Sequence, residues 1–277
     1  MPLYPIYRDF FRFINGLDKG PDPWVSYQRH YLRPHREFLF SYWRSFKWMD
    51  LGQIEERVRR IRRGDYSVLE GLIAQEAPEK IIAKALERCE RFATPTEEPD
   101  VYLIVGFFSS DGFVVEFRGR PVIGFGLERF RDFMPLKIIF AHEYCHYLRR
   151  LTKGCARACS LAEMLLSEGL AAVFSEFVFP ERPLHEHIFL SRSRVNWCIE
   201  NEAYLLGLVR SELRSSNLVS SLFSGGDAEL GIPPRVGNYV GYRIMKEYLS
   251  GAMEIKDIIH HADIVDLESV LARSFSG

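Results

Sequence analysis

What this chain has little of narrows the field first. Its 277 residues carry a formal net charge of only −1, so no global field draws it to nucleic acid or to an anionic membrane. No stretch approaches the roughly 18 uninterrupted apolar residues of a membrane-spanning helix. The opening, MPLYPIYRDFFRFINGL, has no long apolar core of a secretory signal and is interrupted by Arg8, Asp9 and Arg12. These absences lead us to expect a cytoplasmic protein. Cysteines are few and odd in number, five, which fits a reducing compartment better than a disulfide framework. Cys155 and Cys159 stand four apart, not at the spacing of a zinc knuckle, and read as small core residues. Repeats and low-complexity tracts are missing as well.

Apolar residues make up 47% of the chain and aromatics 14%, enough to fill one large core or two small ones. The first 50 residues are dense in rings: Trp24, Tyr27, Tyr31, Phe38, Phe40, Tyr42, Trp43, Phe46 and Trp48. Rings among arginines can stack bases. The near-neutral charge favours instead a helical cap whose rings pack inward while its arginines reach for water. Residues 26–49 read as helix broken near Pro34. Arg57, Arg59, Arg60, Arg62 and Arg63 follow Glu55 and Glu56 on what reads as a solvated helix face. Residues 78–92 have helical periodicity, with Pro78 in the first turn.

The period then shortens. Val101–Phe108, Phe113–Phe117 and Pro121–Leu127 are short runs of β-formers separated by Ser110-Asp111-Gly112 and Gly119, which predicts a small, at least partly antiparallel sheet. Helical spacing returns at 135–150, with Gly154 as its stop, and again at 157–178, 236–250 and 253–275. Residues 215–234 are loop-rich. The expected class is α+β.

The chemistry is concentrated in His142-Glu143-Tyr144-Cys145-His146. Histidines at i and i+4 on a helix are offset by only about 40°, so two imidazoles can reach one ion. Glu143, about 100° from His142, flanks that face and can take a proton from a water activated there. A catalytic zinc needs a third protein ligand. The next helix offers Glu163 and Glu168. Glu168 is preferred because Gly169, Ala171, Ala172 and Ser175 would let its helix come close to the histidine helix. Glu163 reads as a solvated charge. Cys145 would crowd the same ion. Arg149, one turn past His146, reads as an exposed helix-end cation, with binding of a substrate carboxylate as the alternative.

HExxH on one helix and Glu-Gly-x-Ala on the next resemble the gluzincin group of zinc metallopeptidases, related to thermolysin. The nearest family is a bacterial one of predicted zinc-dependent proteases. The matching pieces are Val122–Leu127, HEYCH at 142–146, SEGLAAVF at 167–174 and NYVGYRIMKEYL at 238–249, and the resemblance spans roughly residues 70–270. It implies a zincin-like domain over 67–277 and says nothing of the first 50 residues; the ring-rich start reads as a helical extension or cap over 1–66, an arrangement that one continuous domain would also accommodate. The resemblance implies Zn2+ held by His142, His146 and Glu168, with Glu143 as general base. An oxyanion donor would come from Tyr242 or Tyr239, with His260 and His261 as further candidates. The expected partner is a peptide or protein substrate, with no nucleic acid and no membrane. In thermolysin-like enzymes an acidic residue one turn past the third ligand supports a metal-binding histidine; here that position is Ala172, so support must come from elsewhere. Two other readings stay open: a zinc hydrolase acting on something other than peptides, and a binding protein with a structural metal.

Overall fold

The computed structural model describes residues 1–17, 22–45, 50–107, 110–154, 160–250 and 255–274. Its helices are α1 (Tyr7–Gly16), α2 (Pro23–Tyr27), α3 (Arg36–Arg44), α4 (Leu51–Arg60), α5 (Ser67–Gln75), α6 (Pro78–Cys89), α7 (Leu136–Lys153), α8 (Leu161–Val178), α9 (Leu184–His187), α10 (Arg192–Glu200), α11 (Glu202–Glu212), α12 (Gly237–Leu249), α13 (Ile255–His261) and α14 (Ile264–Ser274). The strands are β1 (Leu3–Tyr4), β2 (Val101–Ile104), β3 (Gly112–Phe117) and β4 (Arg120–Gly126). The fold is α+β. Among the described residues no helix is long and apolar enough to cross a membrane. The chain forms two compact units, residues 1–84 with 95–143, and residues 85–94 with 144–277.

The first unit holds the sheet, in the order β1-β2-β4-β3. β1 and β4 pair parallel with β2, and β3 pairs antiparallel with β4. The three expected runs are all strands. The fourth strand, β1, comes from the first residues and pairs at Leu3↔Val101, a partner so distant in sequence that no local pattern announces it. Arg118 and Gly119 both have positive φ, 53° and 78°, and close β3 onto β4 as a two-residue hairpin with the twist the strands demand. β2 stops at Ile104; Phe107 has left the extended region with φ 64°, and Phe108 lies outside the described residues.

The rings of the N-terminal helices form a core. Tyr27, Tyr31 and Tyr42 are fully buried, and Phe10 meets Phe13, Tyr31 and Tyr66 edge-on. Phe46 and Trp48 lie outside the described residues, as do Cys155 and Cys159. The break near Pro34 is present, between a π-helical segment at Gln28–Leu32 and α3.

In the second unit α8 crosses α12 backbone to backbone. A Cβ on Gly169 would stand 2.3 Å from the carbonyl oxygen of Gly241, and one on Gly241 would stand 2.6 Å from that of Leu165. The small residues of α8 were expected to admit the histidine helix. The contact that requires Gly169 is made with α12 instead. The expected helix over 253–275 is two helices. Arg149 Nη1 donates to the Ile259 carbonyl and Lys153 Nζ to that of Ala262. Cations of α7 thereby satisfy carbonyls at the end of α13, which a helix terminus leaves unbonded.

Candidate metal centre

Helix α7 starts where its sequence allows. The carbonyl of Pro135 accepts from the amides of Ile138 and Ile139, and proline is tolerated at a helix start because its missing N–H would be unsatisfied there anyway. The helix stops at Gly154, whose φ of 77° is the left-handed conformation that glycine adopts without a Cβ penalty. Leu136, Phe140 and Ala141 are fully buried and fix the rotation of the helix. His142 is 4% exposed, and His146 follows one turn on.

Helix α8 begins with a capping box. Glu163 N–H donates to Ser160 Oγ, and the Glu163 carboxylate accepts from Ser160 N–H at 2.9 Å. Glu163 is therefore a capping residue rather than a free surface charge. Glu168, one and a half turns on, faces His146, with 3.4 Å between its Oε1 and Nε2 of the imidazole. Ligand atoms of His142, His146 and Glu168 all lie within 4.8 Å of one another, and among the described residues this is the group of histidine, cysteine or acidic side chains able to hold a metal ion.

The donor set fits zinc. Two ligand atoms about 2.05 Å from a tetrahedral ion stand about 3.4 Å apart, the spacing found between His146 and Glu168. Nδ1 of His146 lies 3.2 Å from Ser167 Oγ. A ligating Nε2 must be unprotonated, which puts the ring proton on Nδ1, and that proton then donates to Ser167. With a metal bound, this hydroxyl would give the support that Ala172 cannot. Ser167 precedes Glu168 in the chain, but nothing in the sequence says which way its side chain turns.

Glu143 lies against the head of β3. A Cβ on Gly112 would fall 2.8 Å from Cγ and 3.0 Å from Oε1 of Glu143, and 2.6 Å from Cγ2 of Ile139. Glycine at 112 is what lets the carboxylate lie against the strand.

The remaining candidates are placed elsewhere. Tyr242 Oη donates to Glu176 Oε1 at 2.9 Å; Glu176 is eight residues past Glu168, about 12 Å along the helix axis. Tyr239 Oη donates to Glu202, which also takes Arg243. Burial, together with those carboxylates, pushes both phenols well above their ordinary range, so they stay neutral donors. His260 Nδ1 lies 2.8 Å from Thr152 Oγ1, and the side chain of His261 lies outside the described residues. Cys145 is fully buried and is not one of the converging donors. Arg149 is half-buried against α13 rather than exposed, and burial lowers its pKa.

A family model described as a predicted Zn-dependent protease matches residues 113–263, more than half of the chain. The chain belongs to this family. No curated protein and no solved structure matches it. The matched span contains every residue of the donor cluster and Glu143, and leaves out β1, β2, helices α1 to α6 and α14.

Proposed function

We propose that this family member is a zinc peptidase of the gluzincin kind, with His142, His146 and Glu168 holding the ion and Glu143 as general base. The single observation that carries the reading is the convergence of those three donors from two successive helices. Zinc bound there supplies Lewis acidity, polarising a carbonyl and lowering the pKa of a water to about 7. Glu143 takes the proton of the attacking water and passes it to the departing amine, so both strokes of proton transfer fall to one carboxylate. Ser167 holds the His146 ring so that Nε2 faces the site. Tyr239 and Tyr242, bonded to Glu202 and Glu176, brace α12 in this reading rather than the reaction.

The edge strand beside Glu143 suits a peptide. In the two-residue hairpin the closing pair Phe117↔Arg120 is hydrogen-bonded, so Phe113, Val115 and Phe117 turn their backbone groups to β4, while Gly112, Val114 and Glu116 turn theirs to the free edge. The carbonyls of Gly112 and Glu116 are taken by Ser110 Oγ and Ser41 Oγ. This leaves Val114 as the centre of a short ladder on which an extended peptide pairs with little sequence demand.

Glu143→Gln tests the mechanism. The variant should keep stoichiometric zinc, read by elemental analysis, while hydrolysis of fluorescently labelled casein falls by roughly 10²–10⁴-fold. Full turnover in that variant would end the assignment of the base.

A further inference from the structure

Residues 105–107 form a strained, fully clamped turn. Phe107 is a buried aromatic, 2% exposed, held at φ 64°, a conformation that bulky side chains avoid and that persists only where the surroundings over-determine it. The surroundings here are side chains from four separate places. Tyr31 Oη donates to the Val105 carbonyl and accepts from the Val105 amide, both at 3.1 Å. Glu128 accepts from the Gly106 amide at 2.7 Å. Arg57 Nη1 donates to the Phe107 carbonyl at 2.8 Å. Tyr42 ties the turn to the edge strand: its ring fills the space a Cβ on Gly106 would need, 2.8 Å away, and lies 4.3 Å from the ring of Phe113. Ser41, beside it, donates to Glu116 of the same strand. Gly112, at the head of that strand, is the residue against which Glu143 lies.

We propose that the helical region ahead of the family match is part of the active site, with Tyr31 and Arg57 acting as positioning residues that hold the 105–107 turn and, through β3, seat Gly112 against Glu143. The inference rests on the reading of Glu143 as the base beside a metal. It assigns a task to helices α2 to α4 that a detachable cap would not have. Strain at Phe107 persists because polar contacts to the turn offset it, from the buried Tyr31, from Glu128 and from the part-buried bond of Arg57.

Acetohydroxamic acid tests this without a substrate. It chelates zinc through both oxygens and hydrogen-bonds a carboxylate beside the ion, so its affinity for the zinc-loaded protein reports where Glu143 stands. Calorimetry should show about tenfold weaker binding in Tyr31→Phe and in Arg57→Ala, the scale of one displaced charge-assisted hydrogen bond. Zinc affinity should stay unchanged, and Arg57→Lys, which still donates, should restore binding. In a Glu143→Gln background the same substitutions should have no further effect, whereas general loosening of the fold would weaken binding there as well. Equal losses in both backgrounds overturn the proposal, as does unaltered binding in both single variants. If Glu143→Gln itself leaves acetohydroxamate binding untouched, the reading of the base fails together with this inference.

Discussion

Helix α8 presents the same dipeptide twice. Ser167-Glu168 and Ser175-Glu176 are eight residues apart, and each serine meets Nδ1 of a histidine, His146 at 3.2 Å and His187 at 2.9 Å. There the likeness ends. Glu168 faces Nε2 of His146 and converges with His142. Glu176 is occupied by the Tyr242 phenol and the Lys246 ammonium, 2.7 Å from its Oε2. The second histidine is fully buried. Ser175 Oγ gives its proton to the Ala172 carbonyl, so it must accept from His187 Nδ1–H, and Nε2 of that ring has no hydrogen-bond partner among the described residues. One Ser-Glu-His group has donors that could meet at an ion; in the other the carboxylate is paired with an ammonium and the imidazole is buried. The difference lies in what the neighbouring elements bring.

Exchanging the carboxylates for amides should separate the two groups most strongly. Glu168→Gln should weaken zinc binding by more than the roughly 10–100-fold that loss of a supporting group costs, while Glu176→Gln should leave zinc affinity unchanged, both measured by competition with a chromogenic chelator. Equal effects would erase the distinction. The serines come next. Ser167→Ala should cost zinc affinity about tenfold, and Ser175→Ala should cost none of it. The latter should instead lower stability by about 1–3 kcal/mol in urea unfolding, because it leaves a buried ring N–H unpaired.

Between the two pairs, Gly169 is pressed against the Gly241 backbone. Gly169→Ala should destabilise by about 1–3 kcal/mol. Gly71→Ala in α5, where a Cβ meets nothing within 4 Å, should stabilise by about 0.5–1 kcal/mol, a contrast read directly in melting temperatures. The smallest effect is that of pH on His187. Burial lowers its pKa below the ordinary 6.5. As pH falls through about 6.5, the unfolded chain takes up the proton before the folded one does, so stability declines on the acid side and is recovered above it. His187→Asn should flatten that part of the stability–pH curve; a steeper acid-side decline in the variant would reverse the sign and refute the assignment.

Legibility in the sequence followed the range of the interaction. Helix α7, its stop at Gly154, the β3–β4 hairpin and the pairing of His142 with His146 are all consequences of spacing over a few residues. The small residues after Glu168 favour it over Glu163, but the structure gives Gly169 to α12. The better reason was equally local: Ser160 and Glu163 stand at capping-box spacing. β1, Ser167, Gly112 and the fate of Tyr239 and Tyr242 were not legible, because each depends on a partner brought from far along the chain.

Local spacing alone places His142 and His146 together on α7, because helical geometry puts i and i+4 on one face whatever surrounds them. It also set the fold class, through periods of two and of 3.6. Only the tertiary structure decided which carboxylate meets those histidines, which serine steadies the ring, and why position 112 must be glycine. Those outcomes depend on how helices and strands pack, and packing is set by the shapes and hydrogen-bonding needs of many side chains at once rather than by the spacing of a few.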